Sequence, residues 1–192
     1  MIRNTLIKHC APTLAGIKTG NIFSVKRVHY DINEEIRKLN SIFVNKGLRL
    51  IPIRKKDDTV LIYLYRPECL QRDLKNPEAR EILKEKGYPC ENCESCLVEL
   101  VKHLEKDTDF PHEIGLFLGY PPYDVKKFME SPCKGVKCVG CWKAYGNESK
   151  ARETFEKYKK CTEIYSRESE SGRPLEALIV DIHSNGYEDL VG

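Results

Sequence analysis

Read for hydrophobic spacing, the chain breaks into short amphipathic pieces separated by polar, glycine or proline punctuation. Asp31 to Lys46 predicts a helix: Ile32, Ile36, Leu39 and Phe43 recur on one face, Asp31 and Glu34 form a capping box, and Gly47 ends the run. Leu48 to Arg54 and Thr59 to Arg66 are rich in β-formers and flank the polar Lys55-Lys56-Asp57-Asp58, which predicts a hairpin. Pro67 opens a short helix to Lys75, and Asn76-Pro77 opens another that ends at Gly87. Asn92 to Lys106 reads as a further helix with Leu97, Leu100, Val101 and Leu104 inward. His112 to Tyr120 and Tyr123 to Glu130 read as two short helices broken by Pro121-Pro122. Lys137 to Tyr145 is expected as a strand, and Glu148 to Tyr165 as a helix with Ala151, Phe155, Tyr158 and Cys161 inward. Ser166 to Arg173 is expected as a polar loop and Leu175 to Ile182 as a last strand, so that these elements make a βαβ unit, right-handed if its strands are parallel. The expected fold is α/β or α+β, one domain over residues 1–192 with helices on a small mixed sheet of about four to five strands.

With 41% hydrophobic and 32% charged side chains, the chain can build a core and is neither a disordered nor a collagen-like polymer. A net charge of +3, from 32 basic and 29 acidic residues, is too mild to mark a nucleic-acid or membrane partner. No stretch approaches the roughly 20 apolar residues of a membrane-spanning helix. Lys8, His9 and Lys18 interrupt the apolar residues of Met1 to Gly20, so no signal-peptide core is legible there. Cys10 follows Ile7-Lys8-His9 and is a poor lipoprotein cysteine. A cytoplasmic protein is expected.

The nine cysteines change this picture most, since in a reducing compartment clustered cysteines read as metal ligands or redox thiols rather than disulfides. Cys90, Cys93 and Cys96 form C-x2-C-x2-C around a helix start, where thiolates three residues apart can converge on one ion. Leu100 stands where a bacterial ferredoxin run would place its fourth cysteine. Cys133, Cys138 and Cys141 form C-x4-C-x2-C, the spacing that opens the plant-type iron–sulfur pattern, with Gly135 and Gly140 loosening the backbone. The six cysteines suit an iron–sulfur cluster or a zinc ion; core packing and free thiols are the competing account. Cys69 and Cys161 read as core.

Three motifs carry a family resemblance: H-C-A-P-T-L-A-G-I-K at 9–18, F-P-H-E-I-G-L-F-L-G-Y-P-P-Y-D-V at 110–125 and G-C-W-K-A-Y-G at 140–146. In this order, over nearly the whole chain, they resemble the bacterial family catalogued as domain of unknown function 3793. The resemblance implies a small cytosolic protein, mostly of anaerobic bacteria, with no established activity. Its signature falls on His9, Cys10, Pro12, Gly16, His112, Glu113, Gly119, Tyr120, Trp142, Lys143 and Tyr145. Cys90, Cys93 and Cys96 lie outside that signature, so a metal site built on them belongs to this branch.

His112-Glu113 fails as a zinc-protease motif because Leu116 stands where the second His is needed; the pair stays open as acid/base or ligand residues, or as helix capping. His9-Cys10 is a conceivable thiolate–imidazole pair, although neighbours in a strand point opposite ways. Residues 113–129 read like a helix-turn-helix, with Gly115 at the small position, Gly119 in the turn and Val125 and Phe128 as anchors. Its second helix would present Tyr123, Asp124, Lys126 and Lys127; the balanced charge and Pro121-Pro122 argue against DNA. Neither a P-loop nor a dinucleotide-binding glycine motif occurs. Trp142, Lys143 and Tyr145 could line a ligand pocket beside the helix N-terminus at Asn147 and Glu148, or could simply be a half-buried strand. The leading expectation is a cysteine-ligated metalloprotein with an electron-transfer, metal-handling or regulatory role and a redox partner protein. The alternatives are a DNA-binding regulator using 113–129 and an enzyme or small-ligand binder using His9, Cys10, His112 and Glu113.

Overall fold

The computed structural model describes residues 2–26, 31–106 and 110–181. In chain order the elements are α1 (Ile2–Leu14), β1 (Gly20–Lys26), α2 (Ile32–Phe43), a 3-10 turn (Val44–Lys46), β2 (Arg49–Lys56) and β3 (Thr59–Tyr65). Then follow α3 (Pro67–Leu74), α4 (Pro77–Glu85), α5 (Cys93–Glu105), α6 (Ile114–Phe117) and α7 (Pro122–Glu130). β4 (Cys138–Val139), β5 (Lys143–Ala144), α8 (Glu148–Glu170) and α9 (Leu175–Leu178) complete the described chain. Contacts divide it into two compact units, Met1–Glu68 with Lys160–Gly192, and Cys69–Lys159.

The first unit is built on an antiparallel sheet of order β1-β3-β2. Alternation along the strands sends Phe23 and Val25 of β1, Val60, Ile62 and Leu64 of β3 and Leu50 of β2 to one face, and the register pairs Phe23 with Ile62, Val25 with Val60 and Leu50 with Leu64. Ile2, Leu6, Cys10 and Leu14 of α1, Ile32, Ile36, Leu39 and Phe43 of α2, and Leu175 and Leu178 of α9 close over that face. Asp31 caps α2 by accepting from Asn33 N–H at 2.9 Å, while Glu34, the other half of the expected capping box, pairs with Lys38 at 2.7 Å. The edge of β2 is covered by Asn40: its amide nitrogen donates to Leu50 O at 2.8 Å and its oxygen accepts from Leu50 N–H at 2.9 Å, as a ladder neighbour would.

Helix α1 and strand β1 were not legible as elements. α1 ends in a glycine motif: Gly16 takes φ +79° and Ile17 N–H reaches back to Pro12 O at 3.0 Å. The fold is a mixture of helix and strand as expected, but its paired strands are all antiparallel and form two small sheets rather than one mixed sheet.

Three segments correct the sequence reading. Residues 137–145 are not one strand but a tight hairpin, because Gly140 N–H bonds Trp142 O at 3.0 Å and folds β5 back on β4. Residues 166–170 are not a loop. Arg and Glu are good helix formers, and α8 continues until Gly172 at φ +89°, where Arg173 N–H reaches Glu168 O at 3.0 Å. The expected last strand begins instead as α9, whose Leu175 and Leu178 anchor it in the core, and Ile182 lies outside the described residues. The βαβ unit is therefore absent among the described residues. None of the described helices is long and apolar enough to cross a membrane.

Within the second unit, α7 and the β4–β5 hairpin are joined by a buried carboxylate. Asp124 accepts from Trp142 Nε1 at 2.8 Å and from the main-chain N–H groups of Tyr145 and Gly146, each at 2.9 Å. Trp142 stacks on Tyr120 at 5.1 Å and meets Phe155 of α8 edge-on at 4.5 Å. A Cβ at Gly140 would run into the Phe155 ring, so only glycine permits this approach.

Candidate functional site

The cysteine triplet of the second unit is placed by two helix ends. Gly87, at φ +80°, closes α4 and turns the chain into Tyr88-Pro89-Cys90. Asn92 then caps α5 by accepting from Ser95 N–H at 2.7 Å, which puts Cys93 at the first helical position and Cys96 one turn on. All three cysteines line one half-open cavity of about 180 Å³, with Lys75, Arg80 and Glu91 among its walls. Cys96 is buried and its Sγ donates to Pro89 O at 3.2 Å; Cys90 is half-buried and its Sγ faces Tyr88 O at 3.5 Å and Arg80 O at 3.9 Å. The two carbonyls that these thiols face, of Tyr88 and Pro89, are consecutive in the chain, and Cys90 is near enough to help raise the Cys96 thiol pKa.

Burial pushes the Cys93 thiol up to about 12, with help from the neighbouring Cys96 and Glu94. Burial likewise raises Cys96, to about 11; Cys90 adds to the rise and the Arg80 guanidinium opposes it. Burial thus favours the protonated thiol at both positions. Among the described residues, no three His, Cys, Asp or Glu side chains gather as a group able to hold a metal. The second expected knot is spread out: Cys138 is buried against Ala144 and Ala151 under Trp142 and Phe155, while Cys133 and Cys141 are exposed.

Behind Tyr88 lies a polar cluster that the sequence reading missed. Glu113, only 4% exposed, accepts from Tyr88 Oη–H at 3.0 Å and sits 3.1 Å from His103 Nδ1; His103 Nε2 faces Glu99 at 3.6 Å. Burial and Glu113 raise the Tyr88 hydroxyl pKa well above the tyrosine range. The partner of Glu113 is thus His103 of α5 and not its neighbour His112, which is exposed and meets Phe128 edge-on at 5.0 Å. The available signal was Glu99 and His103 four residues apart on one helix, beside the inward Leu100 and Leu104.

His9 is exposed on α1 whereas Cys10 is fully enclosed in the first unit, its thiol raised far above the ordinary range by burial; adjacent helical positions turn them apart. Of the expected pocket lining, Trp142 Nε1 is engaged by Asp124, and Lys143 Nζ and Tyr145 Oη–H both donate to Pro132 O at 3.0 Å. The N-terminus of α8 is capped by its own Asn147, which accepts from Lys150 N–H at 3.0 Å. In the helix-turn-helix look-alike, Gly115 does pack against Val125 and Gly119 does turn at φ +75°. The first helix, however, is the four-residue α6, and Asp124 points inward rather than outward as expected.

A model of the family described as protein of unknown function (DUF3793) matches residues 6–179. No curated protein and no solved structure matches the chain.

Proposed function

We propose that this chain, which belongs to the DUF3793 family of proteins of unknown function, works as a dithiol redox protein through the cleft of its second unit. The observation that carries this reading is that Cys90, half-buried, and the buried Cys96 line one cleft, with their thiols on the neighbouring Tyr88 and Pro89 carbonyls. Two thiols so placed form a disulfide on loss of two electrons, and a dithiol partner protein restores them by exchange. The network of Tyr88, Glu113 and His103 supports the segment on which Cys90 sits, since the Tyr88 carbonyl faces the Cys90 thiol.

The test is equilibration of the protein in thiol/disulfide buffers of graded potential, read by mass spectrometry. One two-electron couple with Cys90 linked to Cys96, abolished in Cys90→Ser, is expected. Independent oxidation of the two cysteines, with no bond between them, would sink the reading.

A second reading, an iron–sulfur cluster or zinc ion held by thiolates, is favoured by the three cysteines sharing one cleft. Elemental analysis and a visible spectrum after oxygen-free purification decide it. Iron or zinc near one per chain, lost in Cys96→Ser, supports that reading, and a colourless metal-free protein removes it.

A further inference from the structure

Size and charge narrow what a dithiol in this cleft can meet. A volume of about 180 Å³ equals about six waters' worth of liquid, enough for a short substituent. Lys75 and Arg80 supply two cations to its walls against the one carboxylate of Glu91. Arg80 lines the cleft with its Nη2 3.5 Å from Cys90 O, so a cation stands beside the residue with the more open thiol. Cys96 is buried, shielded from direct attack, and lines the same cleft as Cys90.

Resting on the dithiol reading above, we propose that the cleft reduces small anionic disulfides, those carrying a carboxylate within a few bonds of sulfur, and that Arg80 and Lys75 select them by charge. The Cys90 thiolate attacks one sulfur of the substrate RSSR; its S–S bond breaks, RS⁻ leaves, and a Cys90–SR mixed disulfide forms. Cys96 then gives up its proton and attacks Cys90 Sγ, which breaks the mixed disulfide, releases the second RS⁻ and closes the Cys90–Cys96 bond. Two electrons pass from the dithiol to the substrate, and the two protons lost by the cysteines end on two RSH. A dithiol reductant resets the pair.

The experiment uses the whole chain, reduced and kept from oxygen, against dithiodiglycolate (a dianion), hydroxyethyl disulfide (neutral) and cystamine (a dication). Each rate is divided by that of a free neutral thiol with the same compound, and the oxidised protein is mapped by mass spectrometry. The normalised rate is expected to fall about tenfold from dianion to dication and to lose that order in 1 M salt or in Arg80→Gln, a change at an exposed position. A Cys90–Cys96 disulfide formed at equal normalised rates would overturn the anion selection and leave the dithiol reading standing. Failure of every compound to yield that disulfide would overturn both.

Discussion

Cys90 and Cys96 line one cleft but differ in burial. Cys96 is buried with its thiol on the Pro89 carbonyl, so its charged form loses hydration; Cys90 is only half-buried. With its pKa raised to about 11, Cys96 contributes folding stability that is present below the ordinary thiol pKa and is lost as pH rises towards 11, because the folded state favours the protonated thiol. Its alkylation by a bimane reagent should accordingly climb about tenfold per pH unit from pH 7 to 10. A plateau near pH 8 would mean that the thiol is not enclosed as described. The C-x2-C-x2-C spacing told which cysteines lie together, but not which one faces water. Depth belongs to the loop and helix packed around them.

Between elements, one side chain fixes how α7 meets the β4–β5 hairpin. Asp124 answers three donors, and its removal leaves the buried Tyr145 N–H and the half-buried Trp142 indole and Gly146 N–H groups without it. Asp124→Asn keeps the shape but turns an amide NH₂ towards at least one of those donors. A loss of about 2–3 kcal/mol in urea unfolding is expected; a loss below about 0.5 kcal/mol would show that the carboxylate does not hold the hairpin. Asp124 was legible only as a residue two places after Pro122 near a helix start, a position that ordinarily faces solvent. What buried it was the hairpin laid over α7, a partner about 20 residues away along the chain. The same hairpin explains the misread strand at 137–145. Alternation alone cannot distinguish a strand from two short ones when a glycine–cysteine–tryptophan turn sits at the middle.

At the scale of the molecule, the first unit closes its ends on Arg66. This fully buried guanidinium donates to Thr13 O, Leu14 O and Val180 O, each at 2.8 Å, and to Lys46 O at 3.3 Å. It therefore gathers the last turn of α1, the turn after α2 and the segment after α9 at the end of β3. The carbonyl end of α1 carries partial negative charge, which suits a cation. Arg66→Lys retains the charge but loses the planar fork of donors, so several carbonyls lose their partner. We expect a loss of at least about 3 kcal/mol, read by chemical unfolding, with Arg66→Met no less destabilised. A lysine variant as stable as the parent would show that charge, and not the fork, does the holding.

The sequence by itself determined the elements whose signals are local: α2 between Asp31 and Gly47, the β2–β3 hairpin around Asp57-Asp58, α4 behind Asn76-Pro77 and α5 behind Asn92. Caps, turns and apolar spacing act within a few residues, so a linear reading recovers them. Family membership was legible for the same reason, since its motifs are contiguous. Tertiary structure alone decided which cysteines are enclosed, that Glu113 answers His103 and Tyr88 rather than His112, and that the apolar run at 175–179 becomes a helical turn in the core. Each of these is settled by side chains that meet across distant positions, where burial, and not local preference, sets the free energy.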